Sequence, residues 1–123
     1  LGVAPAQVPA LLALVGDTAD GIPGIPRWGE KSAAKVLQKF RNVAEIPDDP
    51  KVWGVDVRGA PALASELNAR RKDAALYEVL ATLREDVPLT ESVEDLRHRG
   101  VNREELAKLC DEIDAPDVLA KFA

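Results

Sequence analysis

Apolar residues along this chain recur mostly at helical spacing. Val8, Leu11, Leu12 and Val15 predict a first helix over residues 5–15, with Pro5 suited to its first turn and Gly16 closing it. Pro9 removes a hydrogen bond one turn in, so a ragged start is expected. Ala33, Ala34, Val36, Leu37 and Phe40 predict a second helix over 30–40, with Lys31, Lys35 and Lys39 along another side at i, i+4, i+8. Asn42 is placed to cap a short turn running through Ile46. Leu63 with Leu67, then Leu76 with Val79, Leu80 and Leu83, mark the expected buried positions of helices over 61–68 and 72–83. One helix kinked near Arg70 would read the same way. Residues 85–93 read as extended, since Pro88 bars a helix. Asn102 followed by Glu105 resembles a capping box for a helix through Glu112, on which Leu106, Leu109, Cys110 and Ile113 share a face. Asp114 and Pro116 open a last helix to Phe122. Gly21, Pro23, Gly24, Pro26 and Gly29 make residues 17–29 a string of tight turns. Residues 47–59 form a loop, with Trp53 expected to pin it to the helices. No internal repeat or low-complexity tract interrupts this pattern. The class is all-α, and 1–123 is expected to be a single helical domain.

Composition narrows the class of function. At 123 residues and 46% apolar, one core can bury roughly two thirds of the unfolded surface. No apolar run approaches the roughly 18 residues of a membrane span, and no charged-then-apolar leader opens the chain. The lone cysteine excludes an internal disulfide, points to a reducing compartment, and is expected as a small buried side chain. Methionine is absent, so a piece of a longer polypeptide is expected. A net charge of −5 argues against a surface that coats nucleic acid throughout. Yet residues 24–41 hold Arg27, Lys31, Lys35, Lys39 and Arg41 against Glu30 alone, a local +4 in an acidic chain.

That basic segment begins at a turn with a recognisable logic. Glycines let a backbone approach a ligand closely, and the first turn of the helix at Glu30 presents unpaired N–H groups to an anion such as phosphate. The lysines would extend the contact along a strand, independent of base sequence and sensitive to salt. A solvated lysine stripe is the plain alternative. Asp17 and Asp20 stand three residues apart at the C-terminal end of the first helix, an unfavourable place for acids without a cation nearby. They could share a hard divalent cation; alternatively, Asp17 caps its own turn and Asp20 is merely exposed. Trp28 either buttresses the turn or stacks on nucleic acid. Arg58, and the cluster Arg70, Arg71 and Lys72, are either solvated or further DNA contacts. His98 is the only histidine, which leaves no histidine metal cluster or triad, and a surface position is expected.

The run LVGDTADGIPGIPRWGEKSAAKVL, Leu14 to Leu37, resembles the signature of the bacterial 5′–3′ exonuclease and flap endonuclease family, which includes the 5′-nuclease domain of DNA polymerase I. LATLREDVPL, Leu80 to Leu89, is similar to the family as well. The family pattern is G-D-x-x-D-N-[IL]-P-G-[IV]-x-G-[IWL]-G-x-K-[ST]-A. The resemblance implies a SAM-like, helix–three-turn–helix C-terminal subdomain that grips duplex DNA backbone. By match, the DNA-binding positions are Gly24, Ile25, Arg27, Trp28, Gly29, Lys31, Ser32, Lys35 and Lys39. It also implies Asp17 and Asp20 as catalytic ligands at one of two Mg²⁺ (or Mn²⁺) positions, which together clamp the attacking and leaving oxygens of a phosphodiester. A potassium ion at the hairpin carbonyls is implied too.

Two positions depart from the pattern. Gly21 replaces the usual Asn, and Arg27 replaces a hairpin glycine, which leaves the metal geometry and the potassium site open. The family's α/β catalytic domain precedes this region in the parent proteins. This chain alone is therefore expected to be a monomer that binds DNA weakly and does not cut it, from a prokaryotic cytoplasmic, nucleoid-associated parent. A non-catalytic helix–hairpin–helix module and a helical protein-interaction domain stand as the rival readings.

Overall fold

The centre of the fold is α1 (Val8–Val15), whose sequence VPALLALV carries no polar side chain and so has no face suited to water. The computed structural model describes residues 1–122, whose regular elements are all helices, joined by turns, irregular backbone and one isolated bridge between Asp17 and Ile22. These residues form two compact units, divided between Glu85 and Asp86.

In the first unit, α1 packs against α2 (Glu30–Leu37) and α4 (Arg71–Ala81). Its Ala10, Leu11, Ala13 and Leu14 are buried together with Ala33, Val36 and Leu37 of α2. The proline-rich start, Pro5–Gln7, is a 3-10 turn ahead of α1. Gln7 there donates from Nε2 to the carbonyls of Leu37 and Phe40, covering acceptors that the end of α2 leaves unpaired. Asn42 caps as expected, its Oδ1 accepting the Glu45 N–H at 3.0 Å. The helices α3 (Ala60–Ala69) and α4 are separate, because Arg70 leaves helical geometry at φ −130°. Trp53 closes the loop before α3: it is buried, and its indole N–H donates to the Pro47 carbonyl at 2.8 Å.

The expected buried face of α4 is overturned. Leu76, Val79, Leu80 and Leu83 are 54%, 69%, 65% and 91% exposed. The helix instead turns Ala74, fully buried, and the half-buried Tyr77 toward the core. Ala74, without a bulky side chain, lets α4 lie close to α1 at that point, where a leucine would hold it off. Leu83 also falls beyond the last helical residue.

The second unit pairs α5 (Arg103–Glu112) with α6 (Pro116–Ala120). Asn102 caps α5 by accepting the Glu105 N–H at 3.3 Å. Cys110 is buried and Leu106 half-buried, but Leu109 and Ile113, expected on the same face, are 50% and 58% exposed. The narrow buried stripe beside the short α6 takes Cys110 and part of Leu106, and leaves Leu109 and Ile113 outside. His98 is exposed, as expected for a surface residue.

Candidate nucleic-acid interface

Residues 16–29 fold back on the end of α1 through backbone contacts that no Cβ could share. Gly24 has φ +74°, and a Cβ there would stand 2.6 Å from Gly16 N and Val15 C. The close approach is held by the Ile25 N–H, which donates to the Leu14 carbonyl at 2.7 Å. Asp17 and Ile22 exchange both main-chain hydrogen bonds at 2.8 Å, which closes the intervening loop. This geometry explains the Gly16 to Gly24 spacing: backbone meets backbone, and side chains point elsewhere.

Inside that loop, Asp17 and Asp20 belong to one turn, which the Asp17 side chain closes. Asp17 Oδ1 accepts the N–H groups of Ala19 and Asp20 at 3.0 and 3.3 Å. Asp17 is half-buried and Asp20 exposed, beside an open groove of about 540 Å³ lined by Asp20, Gly21, Ile22, Pro23, Tyr77 and Leu80. The turn engages one Asp17 oxygen; its Oδ2 and both Asp20 oxygens make no protein hydrogen bond among the described residues. Hard anionic oxygens of this kind suit Mg²⁺ or Mn²⁺. They number two carboxylates, and no group of three or more potential ligand residues occurs among the described residues. Gly21 sits at φ +70°, a left-handed position that glycine and asparagine both tolerate, so its exchange for the family's Asn preserves the turn.

The hairpin's DNA-binding candidates divide by burial. Ile25 and Trp28 are 3% and 5% exposed, so their side chains belong to the core. Trp28 buttresses the turn: its indole N–H donates to the Leu63 carbonyl of α3 at 3.0 Å, and its ring lies 5.8 Å from that of Trp53. Gly24 is buried as well. Arg27, Gly29, Lys31, Lys35 and Lys39 are exposed, and Ser32 is half-buried. Gly29 is the N-cap of α2 without a side-chain cap, and the first backbone bond of the helix runs from Ala33 N–H to Gly29 C=O. The N–H groups of Glu30, Lys31 and Ser32 precede that bond and lie at the positive end of the helix dipole. Lys31 and Lys39 have no protein partner among the described residues, but the Lys35 ammonium donates to the Asp56 carbonyl at 3.2 Å.

Arg27 adopts φ +70°, the position at which the family pattern has glycine. A non-glycine residue there costs about 1–2 kcal/mol. Its guanidinium is 68% exposed and lies 4.0 Å from Glu66 of α3. Arg70 pairs with the same carboxylate. Arg71, from the second basic cluster, instead turns inward, donating to the Ile46 carbonyl at 2.7 Å and pairing with Asp48 at 2.8 Å. Arg58 and Lys72 are exposed. The Glu66–Arg70 pair follows from their i, i+4 spacing in the sequence, whereas the approach of Arg27 depends on the tertiary fold.

The chain matches the family model described as 5′-3′ exonuclease, C-terminal SAM fold, over residues 3–104. It belongs to that family. DNA polymerase I of Bacillus caldotenax is 33% identical over 121 residues, 98% of this chain and 13% of that protein. DNA polymerase I of Pseudomonas aeruginosa is 36% identical over 115 residues, 92% of this chain and 13% of that protein. The 5′-3′ exonuclease of Buchnera aphidicola is 36% identical over 96 residues, 77% of this chain and 33% of that protein. The chain thus spans a third or less of each of these relatives. No solved structure is a significant match to it. Among the described residues, no helix is long and apolar enough to cross a membrane.

Proposed function

We propose that this chain is the part of a bacterial 5′–3′ exonuclease or flap endonuclease that holds duplex DNA by its backbone. The observation that carries the reading is the hairpin folded onto α1. It leads directly into an uncapped helix start whose neighbours Arg27 and Lys31 are exposed. Contacts of that kind touch phosphates and not base edges, so binding is sequence-independent. Titrating random-sequence duplex DNA across a salt series measures it: the log–log slope should equal roughly 0.9 per phosphate neutralised. A slope near zero, or no binding at low salt, would refute the assignment and favour a protein-interaction domain.

Asp17 and Asp20 are the residues that would hold Mg²⁺ or Mn²⁺, in a two-ion site completed by carboxylates of the N-terminal catalytic part of the parent polypeptide. The ion would supply charge neutralisation at the scissile phosphodiester. By itself the chain acts as a monomer, in the cytoplasm, and does not cut DNA, because it brings a single acidic pair. Incubation with Mg²⁺ and a 5′-flap substrate tests this, and cutting that Asp17→Ala abolishes would contradict it. A potassium ion at the hairpin is not supported by any separate feature, and Arg27 occupies the glycine position there.

A second reading has its own support, since Asp17 Oδ1 caps the Ala19 and Asp20 amides. In that reading the chain is a non-catalytic helix–hairpin–helix module. Asp20→Asn in the full-length parent separates the two. The metal reading expects divalent-ion binding to weaken while the melting temperature holds; a purely structural pair leaves metal binding untouched.

A further inference from the structure

Beside Arg27, the seam between the hairpin and α3 carries Glu66 and Arg70, two charges that neither the helix start nor the acidic pair explains. Beneath the surface, the Trp28 indole is bonded to the Leu63 carbonyl, which fixes the hairpin against α3. One helical turn further along α3, Glu66 faces outward, 28% exposed, between two guanidiniums. Arg27 comes from the hairpin side at 4.0 Å and stays 68% exposed. Arg70 comes from the end of α3, pairs with the same carboxylate and also donates to the Glu66 main-chain carbonyl at 3.4 Å. Arg27 reaches this place from a left-handed backbone that glycine would adopt without strain. A strained residue that survives at a ligand-facing turn is a pointer to function in its side chain.

We propose that Arg27 and Arg70, bridged by Glu66, form a second phosphate contact that extends the DNA path from the start of α2 to the end of α3. The proposal rests on the DNA-binding reading above and adds to it the ligand chemistry of this seam: one phosphate diester of a nucleic-acid backbone. Without DNA, Glu66 holds the two guanidiniums near each other. An incoming phosphate replaces the distant Glu66 partner of Arg27 and gains the planar fork that a guanidinium offers to two oxygens. Glu66 is a positioning residue whose negative charge also competes with the phosphate.

Three variants of this chain, bound to random-sequence duplex DNA over a salt series, test it. Arg27→Gly suits the left-handed backbone, so the fold is retained; the Arg70–Glu66 pair left behind is neutral and no longer neutralises the phosphate, so the log–log slope should fall by roughly 0.9. Arg70→Gln keeps a hydrogen-bond donor and should lower the slope by a similar amount. Glu66→Gln removes the competing charge and should tighten binding roughly fivefold at low salt. A wild-type slope in either arginine variant, whatever happens to its stability, overturns the pair as a phosphate contact. Unchanged or weaker binding by Glu66→Gln overturns the competing role. Failure of the wild-type chain to bind DNA would instead strike the underlying reading, so the two failures are distinguishable.

Discussion

Glu78 of α4 shows how one half-buried acid sets a pH dependence. Partial burial pushes its carboxyl above the ordinary 4.5, and the Val43 N–H, donating to Oε2 at 3.3 Å, offsets this only in part. The folded chain therefore binds this proton more tightly than the unfolded chain. Its stabilising contribution is complete below 4.5 and is lost as the pH rises through the raised folded value. Glu78→Gln keeps an acceptor for Val43 and removes the ionisation. Urea melts at a series of pH values should show its stability advantage over the wild type growing from about pH 4.5 upward and then levelling. An advantage equal at every pH would exclude Glu78 as the source. Gly24 is the backbone counterpart. Its Cβ would collide with main-chain atoms 2.6 Å away that cannot move aside, so Gly24→Ala should cost about 2 kcal/mol or more in thermal or chemical unfolding. At Gly29 a Cβ meets nothing within 4 Å. There the same change should cost under about 1 kcal/mol, and equal losses at the two sites would contradict the close-approach argument.

At the scale of elements, α4 is the most informative segment. Leu76, Val79, Leu80 and Leu83 form an apolar stripe at i, i+3, i+4 and i+7, yet they face outward. Single substitutions such as Val79→Ser should therefore shift stability by no more than about 0.5 kcal/mol. Ala74→Leu, at 0% exposure in the core, should cost about 1–3 kcal/mol by overpacking. Losses in the opposite order would mean that α4 presents its other side to α1. The same helix marks where sequence reading stops. Periodicity reveals that a stripe exists, but Ala74 and the leucines share one period, and only the packing partner decides between them. Caps and breakers act locally and were legible: Asn42, Asn102 and the Gly16 stop all function as their residue types suggest. The acidic pair and hairpin could be located from their spacing. A buttressing role for Trp28 was legible as one of two readings, but its partner on α3 was not, and that Ile25 points inward toward α1 could not be read at all, because both contacts are remote in sequence. Nor could the tether of Lys35 to the Asp56 carbonyl, 21 residues away.

On the scale of the whole molecule, the relevant quantity is where the positive charge lies and not how much there is. The chain is acidic at −5, so its average field repels DNA, while residues 24–41 carry a local +4. Beyond about 10 Å at 0.1 M salt charges are largely screened, so a phosphate at the start of α2 senses the exposed Lys31 more than the net charge of the chain. If net charge governed binding, removing any lysine would weaken it equally. If the patch governs it, Lys31→Ala should lower the log–log salt slope by roughly 0.9, whereas Lys108→Ala or Lys121→Ala, outside the segment, should leave it unchanged. Lys35 should fall between, since its ammonium is already engaged at 3.2 Å and its loss removes a structural bond along with a charge. The four alanine variants have the same formal charge, so electrophoretic or bulk-charge effects cancel among them. Equal losses of slope in Lys31→Ala and Lys121→Ala would show that the chain attracts DNA through diffuse charge. Unequal losses tie affinity to the hairpin that α1 and α3 hold in place.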